Sequence, residues 1–215
     1  MLVRILPINP SSSCVVSALM DRSVERLHAA ETHCIDCMTL NEGSPNIGTQ
    51  TDIASVVAPL CRVIAAESDR TNARVTGCFA DPAHYSARET AGKSVLGICE
   101  AEIATAPNMG GRLGVMSPAS PSRKVELRVI RPYGYFQRFV SLEPINVPVV
   151  AMPTAGVMAD WAKAVGARLK RWGAGARVLG GAGMARYENA LRARLGLPVV
   201  DPSAVAMAMG IVALQ

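Results

Sequence analysis

The chain of 215 residues repeats itself once, with the two copies standing a little over a hundred residues apart. Asn9-Pro-Ser-Ser has a counterpart in Ser117-Pro-Ala-Ser, an offset of 117 − 9 = 108. Arg74-Val-Thr-Gly-Cys-Phe-Ala matches Arg177-Val-Leu-Gly-Gly-Ala-Gly, an offset of 177 − 74 = 103. The second offset also carries Ser94-Val-Leu-Gly onto Leu197-Pro-Val-Val and Glu100-Ala onto Ser203-Ala. A repeat of this kind means one structural plan used twice. Each copy has a strand followed by a Ser/Pro loop, later a strand ending in Gly-Cys or Gly-Gly, then a helix, a strand and a last helix. Two like lobes related by a pseudo-two-fold axis leave a cleft between them, and the four loops face one another across it. The expected boundaries are 1–97 plus 203–215 for the first lobe and 98–202 for the second.

The pattern within each copy is α/β. Short runs rich in Val, Ile and Leu occur at Leu2–Ile8, Cys34–Leu40, Arg74–Cys78, Ser94–Ile98, Arg112–Met116, Val147–Met152, Ala176–Gly180 and Pro198–Val200. Helical patterns at Ile53–Glu67, His84–Gly92, Asp160–Trp172 and Tyr187–Leu195 lie between several of them. Strands that alternate with helices predict mostly parallel sheets, and ligands of such folds sit at the carboxyl ends of the strands. Functional residues are therefore sought just after each run.

Composition removes several classes of function. Half of the residues are apolar and 18% are charged, which is an ordered globular balance. The formal charge is +5, carried by dispersed arginines, and aromatic residues make up only 4%, so the stacking platforms of a single-strand nucleic-acid binder are missing. Arg168, Lys170, Arg171, Arg186, Arg192 and Arg194 read as solvated helix faces. Met1–Ile8 has arginine and proline where a secretory signal needs an apolar core. The apolar stretch Ala204–Leu214 is too short to span a bilayer. A cytoplasmic protein with no membrane or nucleic-acid partner is expected, its six cysteines reduced.

Among those cysteines, Cys34-x-x-Cys37 beside His33 has a metal or redox spacing. It lacks a second pair, and on a strand positions i and i+3 point to opposite faces, so both are read as buried structural cysteines. No other His, Asp or Glu cluster has metal-ligand spacing. His84 and Tyr85 read as helix-surface residues, and Met207 and Met209 as core. Gly181-x-Gly183-x-x-Arg186 puts arginine at the third glycine of a dinucleotide loop, and no Gly-Lys-Ser/Thr follows for a phosphate loop. Cys78 stands out because the repeat pairs it with Gly181. It leaves a strand into the turn Phe79-Ala-Asp-Pro82, where a nearby helix start and free backbone N–H groups are expected to lower its pKa and fit it for acid–base work. The glycines at 181 and 183 let backbone N–H groups approach a carboxylate or an enolate oxygen.

Taken together these residues resemble the aspartate/glutamate/hydantoin racemase superfamily, nearest to its hydantoin and allantoin racemases. The similarity rests on Ile8-Asn-Pro-Ser-Ser12, Gly77-Cys-Phe-Ala-Asp-Pro82 continuing to Ala87-Arg-Glu89, Leu96-Gly-Ile-Cys-Glu-Ala101, Leu113-Gly-Val-Met-Ser117, Leu179-Gly-Gly-Ala-Gly-Met184 and Pro198-Val-Val-Asp201. These stretches follow family order over nearly the whole chain.

The resemblance implies two Rossmann-like lobes, no cofactor or metal, a homo-oligomer, and a small-molecule substrate held in the cleft. It also implies two cysteines that work on opposite faces of the substrate's α-carbon, one removing a proton and the other returning one. Cys78 matches the first, and Gly181 occupies the place of the second. Phe79 keeps the family's phenylalanine, while Ala80 stands for a usual glycine and Pro118 for a usual threonine. Loops and resemblance together name Asn9, Ser11, Ile47, Phe79, Ser117, Gly181, Ala182 and Gly183 as substrate contacts. The expected reaction is a cofactor-independent proton transfer at a carbon next to a carbonyl, in a hydantoin, allantoin or amino-acid derivative. A one-cysteine lyase resembling arylmalonate decarboxylase, with its cysteine in the opposite lobe, is the alternative. A catalytically lost small-molecule binder is the third reading.

Overall fold

The computed structural model describes residues 3–28, 33–92, 94–118, 122–146 and 155–214. Its strands form two sheets, every pairing parallel. The first holds β1 (Val3–Asn9), β2 (His33–Ile35), β4 (Ala73–Thr76) and β5 (Ser94–Gly97) in the order β2-β1-β4-β5, and β3 (Met38–Thr39) also pairs with β1. The second holds β6 (Leu113–Ser117), β7 (Phe139–Pro144), β8 (Ala176–Leu179) and β9 (Val199–Val200) in the order β7-β6-β8-β9. The helices are α1 (Cys14–Ser23), α2 (Gln50–Ser55), α3 (Val57–Ala66), α4 (His84–Ala91), α5 (Ile98–Gly110), α6 (Arg123–Ile130), α7 (Ala155–Arg171), α8 (Glu188–Leu195) and α9 (Pro202–Leu214).

Strand register reproduces the sequence repeat. In the first sheet Ile5 pairs with Ala73 and Ile8 with Thr76; in the second Leu113 pairs with Ala176 and Met116 with Leu179. These are the same pairs moved by 108 on one strand and 103 on the other. The next strand departs from the sequence alignment by one residue. Arg74 pairs with Val95 whereas Arg177 pairs with Val199, so β9 follows β5 at 199 − 95 = 104, and α9 starts 202 − 98 = 104 residues after α5. Arg74 and Arg177 are both fully buried, and each donates from its guanidinium to a backbone carbonyl, Ala91 O and Gly166 O respectively.

The final helix of each half packs on the other half's sheet. Cys99, Ile103 and Ala106 of α5 join Leu113, Val115, Ala176 and Val178 of the second sheet in one apolar cluster. Ala206, Met207 and Ile211 of α9 join Val3, Ile5, Ala73 and Val75 of the first. Side chains of the cleft loops cross in the same way. Phe79 is buried in the cluster of the second sheet, and Ala182, its repeat partner, in that of the first. At about 25 cal/mol per Å² of apolar surface, such exchanged burial ties the lobes to each other as well as holding each one together.

Several local expectations are corrected. The single strand expected over Cys34–Leu40 is broken at Asp36–Cys37. The run Val147–Met152 lies outside the described residues, and the outer strand of the second sheet is β7, whose mostly half-exposed pattern carries no long apolar run. His84 is buried rather than on the surface. Ala83, in the left-handed region at φ 60, turns the start of α4 inward, and the His84 ring packs edge-on to Tyr133 with Nε2 3.0 Å from Glu100 Oε2. Met207 is buried, but Met209 is 40% exposed, and Cys34 and Cys37 are half-buried because β2 and β3 lie at the margin of the first sheet. Among the described residues no helix is long and apolar enough to cross a membrane.

Candidate active site

Two glycines at equivalent positions carry the site. Gly77 N donates to Ile8 O and Gly180 N to Met116 O, each at 2.8 Å, extending the β1–β4 and β6–β8 ladders by one rung. A Cβ on Gly180 would stand 3.1 Å from Met116 O and 3.2 Å from the Cα of Ser117, and one on Gly77 would stand 3.1 Å from Ile8 O and 2.4 Å from Met20 Sδ. The chain runs tight against its neighbouring strand at both places, so an added side chain would push that strand by a few tenths of an ångström and, at Gly77, also displace Met20. The residues presented next are Cys78 and Gly181.

Both line one cavity of about 290 Å³ at the carboxyl ends of β1, β4, β6 and β8. Its wall takes Asn9, Ser11, Ile47 and Phe79 from the first half and Ala182 and Gly183 from the second, so seven of the eight expected contact residues are brought together around Cys78. The eighth, Ser117, is fully buried and does not reach the wall. Its hydroxyl instead donates to Oε1 of Glu126 at 2.9 Å, and it is Glu126, on α6, that faces the cavity. Asn9 and Ser11 are turned toward each other: Asn9 Oδ1 accepts from Ser11 N at 3.0 Å and Ser11 Oγ at 2.9 Å, while Asn9 Nδ2 donates to Ser13 O at 2.9 Å and Ser17 Oγ at 3.0 Å. They shape the loop and expose little free hydrogen-bonding capacity to a ligand. Ile47 belongs to a segment held by the Ser12 N to Ser44 O bond and by the capping box of Thr49 and Asp52 at the start of α2.

Cys78 does not have the lowered pKa expected of it. Burial pushes the thiol up to about 12, and the negative charges of Asp81 and Glu126 push in the same direction, against a single hydrogen bond from the backbone of Ala80. The Cys78 loop is backbone-strained, with Asp81 at φ 41 and Ala83 at φ 60. Asp81 pins it: its two carboxyl oxygens accept from Cys99 N at 3.0 Å and Glu100 N at 2.8 Å at the start of α5, and Tyr133 Oη donates to it at 2.7 Å. Burial still raises the Asp81 pKa to about 6.

Glu126 was not legible as a site residue. Burial raises its carboxyl to about 7, with hydrogen bonds from Ser117 and Ser122 working against the shift. The wall carries two acidic side chains, Asp52 and Glu126, and no arginine or lysine among the described residues. The spacing that would have flagged Glu126 is helical: Glu126 and Ile130 lie one turn apart on the buried side of α6.

Known proteins of like sequence and structure point the same way. The hydantoin racemase of Rhizobium meliloti is 28% identical over 204 residues, covering 94% of this chain and 85% of that protein. The allantoin racemase from Klebsiella pneumoniae superposes with a TM-score of 0.90 at 29% identity, over 99% of this chain and 88% of its own. The allantoin racemase from Pseudomonas fluorescens gives the same TM-score at 19% identity, over 98% and 90%. The sequence pattern of the Asp/Glu/Hydantoin racemase family matches residues 5–210. A two-lobed parallel α/β fold, a cysteine on the wall at the strand ends and this match over almost the whole chain lead to one conclusion: the protein belongs to the Asp/Glu/hydantoin racemase family and is an enzyme of the racemase/isomerase type.

Proposed function

We propose that this enzyme moves a proton at a carbon next to a carbonyl in a neutral five-membered ring of the hydantoin or allantoin kind, with Cys78 as acid and base. The observation that carries the reading is the placement of Cys78 on the wall of a cavity lined from both halves, opposite the glycine-rich Gly180–Gly183 stretch of the second. Removing such a proton places charge on the carbonyl oxygen; the Gly181 N–H is already given to Leu179 O, and the backbone N–H groups of Ala182 and Gly183 on the cavity wall are the donors proposed to stabilise it. The substrate's own carbonyl supplies the acidifying group, so the step calls for no cofactor. Charge decides between substrates. A wall with two acidic side chains and, among the described residues, no cation suits a neutral ring better than aspartate or glutamate, whose second carboxylate would want an Arg or Lys clamp. It disfavours a doubly charged malonate on the same ground, which sets the decarboxylase reading second.

The test is exchange of the α-proton in D₂O for each enantiomer of several 5-substituted hydantoins, allantoin and aspartate. Exchange on the ring substrates that Cys78→Ser loses for at least one enantiomer is the expected result. Release of CO₂ from arylmalonates without exchange on any ring would establish the lyase instead. Neither activity, together with tight binding of a ring compound, would leave a binder.

A further inference from the structure

Resting on the reading of Cys78 just given, we infer that Glu126 is the second acid–base group of the site, taking in the second lobe the role for which position 181 has no side chain. Three observations place it there. First, Glu126 lines the same cavity as Cys78 and Gly181 but enters from α6, the helix that follows β6 of the second sheet, whereas Cys78 follows β4 of the first. Second, its carboxyl is held by Ser117, and Ser117 lies against the loop of Gly181: a Cβ on Gly180 would touch the Cα of Ser117 at 3.2 Å. The repeat pairs Ser117 with Asn9, so each half sets a polar residue of its first strand beside the residue that ends its second central strand. Third, one carboxyl oxygen is used and the other is not. Oε1 accepts from Ser117, while Oε2 is buried with no hydrogen-bond partner among the described residues. A buried carboxyl oxygen without a partner is costly, and a ligand in the cavity is the natural source of one.

The two groups sense each other, since the Glu126 charge is among the causes that keep the Cys78 thiol protonated. Above about pH 7 the resting pair is therefore a carboxylate and a thiol. On one enantiomer the Glu126 carboxylate takes the α-proton: the C–H bond breaks and an O–H bond forms, leaving an enolate. The Cys78 thiol then gives its proton to the other face: the S–H bond breaks and a new C–H bond forms. The site is left as carboxylic acid and thiolate, and this pair turns over the opposite enantiomer by the reverse steps. Protonation of Glu126 removes the negative charge that opposed the thiolate, so each half-reaction prepares the next.

The test reads each hand of substrate separately. In D₂O, Glu126→Gln, which keeps the shape of the side chain and its acceptor oxygen, is expected to lose α-exchange of one enantiomer by roughly 10²–10⁴-fold. The other enantiomer should go on exchanging, with retention of configuration. Cys78→Ser should show the opposite handedness of loss. Adding Gly181→Cys to Glu126→Gln should return the lost hand, which excludes misfolding as the cause. An equal loss on both enantiomers in Glu126→Gln, or no loss on either, overturns the role of Glu126 while leaving Cys78 as acid and base. No exchange of either enantiomer by the unaltered enzyme overturns the reading beneath it, and this inference with it.

Discussion

Ser117 donates its hydroxyl hydrogen to Oε1 of Glu126 at 2.9 Å, so a residue expected on the cleft wall instead holds the carboxyl that reaches it. The bond favours the charged form of Glu126 and counteracts part of the upward shift caused by burial. Ser117→Ala should therefore raise the Glu126 pKa above its present value of about 7. A hydrogen bond to a charged group is worth about 1.5–3 kcal/mol, or roughly 1–2 pH units. The acid limb of the pH–rate profile for ring substrates is expected to move to higher pH by that amount, with a smaller change in rate on the plateau.

Burial pushes the Cys78 thiol up to about 12, so it is almost entirely protonated at neutral pH. Alkylation by iodoacetamide at pH 7.5 should be slower at Cys78 than at an exposed thiol such as Cys14, and should accelerate with pH up to at least pH 10. Peptide mapping after timed labelling checks the order. Glu126→Gln removes a neighbouring negative charge and should speed the labelling of Cys78.

Four buried carboxyls make stability fall as pH rises: Glu102, which burial raises well above the ordinary carboxyl value, and three others. Burial lifts Asp81 to about 6 and Glu126 and Asp201 to about 7, all above their values in the unfolded chain. A group whose folded pKa is raised holds its proton more tightly in the folded state, so its contribution is complete below about pH 4 and is lost as pH passes through the folded value. Urea midpoints should be higher at pH 5 than at pH 8. Asp201→Asn keeps an acceptor for Ser203 N and should flatten this slope, raising stability at pH 8 by on the order of a few kcal/mol.

Gly180→Ala tests the backbone approach that carries the Gly181 loop. The added methyl meets Met116 O at 3.1 Å and Ser117 Cα at 3.2 Å, both parts of the main chain and unable to swing aside. A loss of about 1–3 kcal/mol is expected from such overpacking, read as a lower thermal midpoint. Turnover should fall as well, because Ser117 and with it Glu126 must move.

What the sequence disclosed was whatever repeats. The pairs Ile5–Ala73 and Leu113–Ala176 follow from two offsets visible in the residues, since a parallel ladder fixes both partners at once. The one-residue slip at β9 was hidden because Leu197-Pro-Val-Val and Ser94-Val-Leu-Gly are alike only in being apolar, and either register buries them. Glu126 was hidden for another reason. In Arg123-Lys-Val-Glu-Leu-Arg it sits among charges and looks solvated, and only the turn of α6 brings it to the side that Val125 and Ile130 bury. The thiol pKa was misjudged because a helix start lowers it only where water or N–H groups reach the sulfur, and here burial outweighs the one bond from Ala80.

The exchange of α5 and α9 sets how the enzyme can move. Each sheet has a face covered by a helix that belongs in sequence to the other half, and the two helices also pack on each other. A fragment cut at Gly97 would show a bare apolar face and would have to find a mate to cover it. Inside the intact chain the same arrangement acts as a rivet: the halves cannot swing apart without sliding one helix along the other and stripping both sheets. The spacing between Cys78 and the opposite wall is then set by the packing of these two helices on the two sheets.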